Sequence, residues 1–166
     1  MRRRVFGVAA ALVGLVVPLA AAVPAFAADS TLTLNVTFDG QGRPTVTIPG
    51  DWGVGDCFMS QGTSVTWTGS INVADSPKGV PFPHPTFHWD GYTKTTHTNN
   101  YDQWWLTVSF LDGSGNYLFG FSDVGGPQMS STGYWYHANI NALGHYANFS
   151  APRTSQAAKA QVRSTC

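Results

Sequence analysis

Residues 104–121 read Trp104-Trp105-Leu106-Thr107-Val108-Ser109-Phe110-Leu111, then Asp112-Gly113-Ser114-Gly115-Asn116, then Tyr117-Leu118-Phe119-Gly120-Phe121. The first run is the strongest strand in the chain, rich in the aromatic and β-branched residues that suit a pleated surface. The Asp-Gly-Ser-Gly-Asn cluster is turn chemistry, and the third run brings the chain back. Together they predict a central β-hairpin.

Outward from this hairpin the pattern stays strand-like. Toward the C-terminus, Gly133 to Ile140 and His145 to Phe149 read as further strands. Beyond Pro152, Ser155 to Val162 has weak helical character, with Ser155 as a cap. Toward the N-terminus, Ser64 to Val73 is another strand, with room for a bulge at Gly69. Thr31 to Phe38 alternates apolar and polar residues, Asp39-Gly40-Gln41-Gly42 turns, and Thr45 to Ile48 alternates again. Residues 31–48 are therefore expected to form one hairpin ending at Pro49-Gly50. Between these regions, Asp75 to Pro85 holds four prolines and reads as an extended surface loop.

Composition agrees. All nine acidic residues are aspartate, glutamate is absent, and the 18 glycines and 10 prolines punctuate a chain of 166 residues. Such a chain disfavours helix and suits one domain of short strands. The expected fold is all-β: a single antiparallel β-sandwich or β-barrel-like domain with one disulfide, following a cleaved signal peptide.

The signal is read from residues 1–27. Arg2, Arg3 and Arg4 form a basic start, Val5 to Val23 is almost wholly apolar, and Ala25-Phe26-Ala27 is a small-x-small cleavage site. The Arg cluster also loosely resembles a twin-arginine signal, although the apolar run suits the general secretory route better. Export predicts an extracellular protein with no membrane contact after cleavage. Six basic residues then face nine aspartates, a net charge of −3 that argues against nucleic acid as a partner. In an exported chain, the even pair Cys57 and Cys166 predicts one internal disulfide closing residues 50–166, with residues 28–49 as an N-terminal strand arm or hairpin outside it. A bond from one or both thiols to another chain is the competing arrangement.

No constellation assembles convincing chemistry. His84, His88 and His97 with Asp90 offer metal-type donors, but His84 is wedged between prolines and the set is read as lying on a loop. Asp112 to Asn116 with Asp123 imitates a calcium loop, yet Tyr117 stands where that loop needs glycine. Neither a spaced carboxylate pair nor a nucleophile with its base can be framed, so no catalysis and no cofactor are expected. Trp89, Trp104, Trp105, Tyr134, Trp135 and Tyr136 could be core or could stack on sugar rings. Tyr134-Trp135-Tyr136, read as one strand, sends neighbours to opposite faces.

The frame of Trp52, Gly55-Asp56-Cys57, Trp67, the run from Trp104 to Phe119 and a terminal Cys166 resembles a family of small secreted β proteins of filamentous actinobacteria. It also resembles the adaptor subunit of umbrella toxin particles. That resemblance implies a non-catalytic protein bridging a repeat-containing toxin polypeptide and a lectin-like subunit through an extended segment. The segment is expected to be the arm, with Leu32, Leu34, Val36 and Phe38, or the Pro-rich loop, with Phe82, Pro83 and His84. Trp135 is the aromatic contact candidate. The alternative function is a carbohydrate- or cell-wall-binding module that uses exposed Trp and Tyr to hold glycan.

Overall fold

The computed structural model describes residues 29–71, 84–147 and 154–166. In chain order the strands are β1 (Asp29–Asn35), β2 (Thr37–Phe38), β3 (Pro44–Thr47), β4 (Trp52–Val54), β5 (Cys57–Met59) and β6 (Ser64–Ile71). They continue with β7 (His84–Thr95), β8 (Asp102–Leu111), β9 (Tyr117–Met129), β10 (Tyr136–Leu143), β11 (His145–Tyr146) and β12 (Lys159–Thr165).

The first sheet has the order β1-β12-β8-β9-β11. Its centre is the hairpin of β8 and β9, in which Phe110 stands opposite Phe119. Period-two alternation sorts β8 cleanly: Trp104, Leu106, Val108 and Phe110 are buried, while Trp105, Thr107, Ser109 and Leu111 lie at or near the surface. Asp112 shapes the turn. One of its carboxylate oxygens accepts from the Ser114 and Asn116 amides, each at 2.8 Å, and the other accepts from the Asn116 side chain at 2.9 Å. Those bonds, led by the Asn116 side chain, hold the Asp112 carboxyl below its usual range. Its oxygens serve the turn itself.

The second sheet centres on β7, which pairs with β6 and β5 along one edge and with β10 along the other. The register shows it: Asp90 pairs with both Ser64 and Asn139, and Thr93 with both Met59 and Tyr136. Along that edge β5 and β6 act as one strand broken at residues 60–63. The break is tight, because a Cβ on Gly91 would collide with the Thr63 hydroxyl. β3 and β4 continue outward and β2 closes the order. Gly69 has φ of 143° at the register shift in β6, so the expected bulge is there.

The sheets pack face to face around an aromatic centre. The Phe87 ring of β7 stacks on Phe110 at 5.8 Å and on Phe119 at 6.2 Å, and meets Phe121 at 5.2 Å. On one flank, Gly144 carries the chain from β10 into β11. Its missing side chain lets it lie against the Gly120 carbonyl and the Phe87 ring. Across the body, Cys57 of β5 is bonded to Cys166 just past β12, with Cα atoms 6.0 Å apart. The disulfide therefore joins one sheet to the other.

Several expectations need correction. Residues 31–48 are not one hairpin: β1 pairs with β12 in the first sheet, and only β2 and β3 pair with each other, in the second. The chain changes sheets at Val36. Residues 155–162 are not helical either, since a 3-10 turn ends at Gln156 and β12 follows. Its alternate Ala160 and Val162 are buried, and pairing with β1 and β8 overrides helix propensity. His84 and Pro85 open β7 instead of closing a loop. β9 runs to Met129, and the strand expected at Gly133 begins at Tyr136, leaving Tyr134 and Trp135 before it. The expected signal, most of the Pro-rich segment, and Phe149 lie outside the described residues.

Candidate functional site

The outer face of the second sheet is the richest surface in chemistry. Even-numbered residues of β7 point outward there: His88, Asp90, Tyr92 and Lys94, while Phe87, Trp89, Thr93 and Thr95 are buried. β10 presents His137, Asn139 and Asn141 on the same face. Four pairs organise it. The Tyr92 and His137 rings stack at 4.8 Å. His137 Nε2 lies 2.7 Å from Asp90 Oδ1. The Lys94 ammonium sits 4.4 Å over the Trp135 ring and 5.6 Å from the Phe58 ring.

Tyr92 is anchored by its backbone. The Ser60 amide donates to its carbonyl at 2.9 Å, and its own amide donates to Ser60 Oγ at 3.3 Å. Ser60, Tyr92 and Trp135 line an open hollow of about 390 Å³. Nearby, Tyr134 is 63% exposed and meets Tyr136 edge-on at 4.9 Å. The Tyr136 oxygen accepts amide hydrogens from Ser130 and Ser131, at 3.1 and 2.8 Å, and hydrogen bonding from these two serines lowers its pKa.

The second surface is the flank where both sheets end. β1 is bonded only to β12 among the described strands, and β2 is the outer strand of the other sheet. Asp29, Thr31, Thr33 and Asn35 of β1 are exposed. Trp52 ties this strand down by donating from Nε1 to Ser30 Oγ at 3.3 Å.

The sequence-derived contact residues scatter. Leu32, Leu34 and Val36 pack against the core, so their side chains face the sandwich instead of a partner. Phe38 is 45% exposed on β2. His84 Nδ1 is 3.1 Å from the Gly144 carbonyl oxygen, tying the start of β7 to the β10–β11 crossover. Phe82 and Pro83 are outside the described residues. Trp135 alone joins the aromatic surface.

The suggested metal donors separate. His84 and His88 project from β7 and engage different partners, His88 meeting Asn141 at 3.1 Å, and Asp90 is taken by His137. No cluster of three or more His, Cys, Asp or Glu is placed to hold a metal among the described residues. Of the aromatics considered for sugar stacking, Trp89 and Trp104 are wholly buried, and Trp105 is exposed on the other sheet. Ser60, Tyr92 and His137 carry no signal in the sequence, since only strand pairing gathers them.

The chain matches no family model, no curated protein and no solved structure. Among the described residues, no helix is long and apolar enough to cross a membrane.

Proposed function

We propose that this protein is a secreted, non-catalytic adaptor that holds other secreted proteins, with β1 as its docking edge. The observation that carries this reading is the edge itself. Seven residues of β1 are paired with β12 on one side, and the other side is laddered to no described strand. It contains no proline and one charged residue, Asp29, so little blunts it against strand addition. β2 ends the second sheet on the same flank, with Phe38 offering an apolar contact beside it.

The disulfide supports this role by locking β12, the strand that carries β1. A preset edge costs less to dock than one that orders on binding. The export signal supplies the compartment, and the likeness to toxin-particle adaptors supplies the partner class: a repeat-containing toxin polypeptide and a lectin-like subunit.

The test is affinity purification of the tagged protein from culture supernatant, followed by mass spectrometry. The wild type should recover a larger secreted protein. Thr31→Lys with Thr33→Lys should lose most of that partner while keeping the melting temperature, because lysine on an edge strand opposes further pairing. Recovery of this protein alone, or full recovery of the partner by the double variant, would sink the reading.

A further inference from the structure

We propose that the hollow between Tyr92 and Trp135 binds the flat face of a neutral, β-linked pyranose chain, of glucose or N-acetylglucosamine units. This site is separate from the β1 edge and stands independently of the adaptor role.

The exposed Tyr92 ring and the half-buried Trp135 ring border one open hollow of about 390 Å³, with Ser60 as a third lining residue. A pyranose with equatorial substituents has an apolar face of C–H groups that lies against an aromatic ring, and a rim of hydroxyls that needs donors and acceptors. The rings supply the first requirement. Asp90, His137 and Asn139, together on the outward face of paired β7 and β10, supply the second.

Charge selects a neutral occupant. The carboxylate of Asp90 is engaged by His137 Nε2 at 2.7 Å, and the Lys94 ammonium lies over the Trp135 ring at 4.4 Å. An anionic ligand would have to compete with Asp90 for His137, and a cationic one would meet Lys94. The platform is also preset: Ser60 brackets the Tyr92 backbone, and His137 covers one side of its ring. Little ordering is left for binding.

The shared chemistry has two sources, which the probes separate. The mature protein is titrated with cellohexaose, chitohexaose and maltohexaose, following the Trp135 indole and His137 ring signals by NMR. Saturable shifts at both residues with cellohexaose, chitohexaose or both are expected, and the responding sugar identifies the source. Maltohexaose, whose α-linkages curl the chain, should bind at least tenfold more weakly.

Tyr92→Leu and Trp135→Ala should each weaken binding about tenfold, the size of one stacking contact. Trp105→Ala, on the outer face of the other sheet, should leave affinity unchanged. Spectra of the variants establish that each is folded, and Tyr92→Leu keeps side-chain bulk while removing the ring. Absence of saturable shifts with both β-linked sugars overturns the proposal, as does equal affinity for maltohexaose or an equal loss in Trp105→Ala. Sugar binding without any protein partner would leave this site standing and remove the adaptor reading alone.

Discussion

Thr93 lies on β7 with 0% exposure, and its hydroxyl has no hydrogen-bond partner. A buried hydroxyl without a partner carries its desolvation cost uncompensated. Thr93→Val keeps the shape and removes that cost, so it is expected to raise stability by about 1 kcal/mol. Chemical denaturation measures this directly, and a loss of similar size would show that the hydroxyl is in fact bonded. The indole nitrogens of Trp67, Trp89 and Trp104 are also enclosed and unpartnered, but these rings cannot be trimmed as simply. Trp104 packs edge-on against Trp52 at 5.5 Å, and Trp89 fills the space that Gly126 leaves open. Removing either would trade an orphan donor for a cavity, which costs about 3 to 5 kcal/mol for a large aromatic. The core thus tolerates several unpaired polar atoms because aromatic volume outweighs them.

Strands differ in how far their own residues specify them. β8 and its turn were legible because every local signal agrees: aromatic and β-branched residues, then an Asx-type turn with Gly115 at φ 88°. β7 is not legible in the sequence, although Phe87, Trp89, Thr93 and Thr95 alternate inward, because Pro85 and Gly91 interrupt the pattern. β12 read as a helix because Ala, Lys and Gln favour one in isolation, and only β1 and β8 make it a strand. The aromatic hollow was legible at Trp135 alone, since Ser60, Tyr92 and His137 meet only through the β5–β7–β10 ladder. Small elements also need pinning, and β11 shows how. Tyr117, at the start of β9, donates its hydroxyl to the His145 carbonyl at 3.0 Å, and burial pushes its pKa up to about 12. The folded state therefore prefers the neutral phenol. Its contribution is fully present below the unfolded value of about 10 and is lost as pH rises through the folded value. Tyr117→Phe should lose about 1 kcal/mol at neutral pH and should remove the late phenol step from an ultraviolet titration. A titration of the variant identical to the wild type would refute this assignment.

At the scale of the molecule, sequence distance and spatial order run against each other. Residues before Cys57 lie outside the loop of 109 positions that the disulfide closes, which alone would leave β1 a free arm. Pairing reverses that conclusion: β1 runs antiparallel to β12 from Asp29 opposite Thr165 to Asn35 opposite Lys159, and β12 ends beside Cys166. The staple therefore controls the proposed docking edge through its neighbour. Closing so long a loop is worth about 4 to 5 kcal/mol in the chain-entropy picture, and reduction removes that constraint from the unfolded chain. The loss should not fall evenly. β12 is held by β1, itself an edge strand, and by β8, whereas β8 and β9 form a local hairpin across a short turn. Reduced protein, or Cys57→Ala with Cys166→Ala, should first lose amide hydrogen-exchange protection in β1 and β12 while β8 and β9 stay protected. The same samples should recover less partner on affinity purification. Uniform loss across both sheets would mean that the disulfide stabilises the sandwich as one unit. In that case the edge would have no redox-dependent stability of its own.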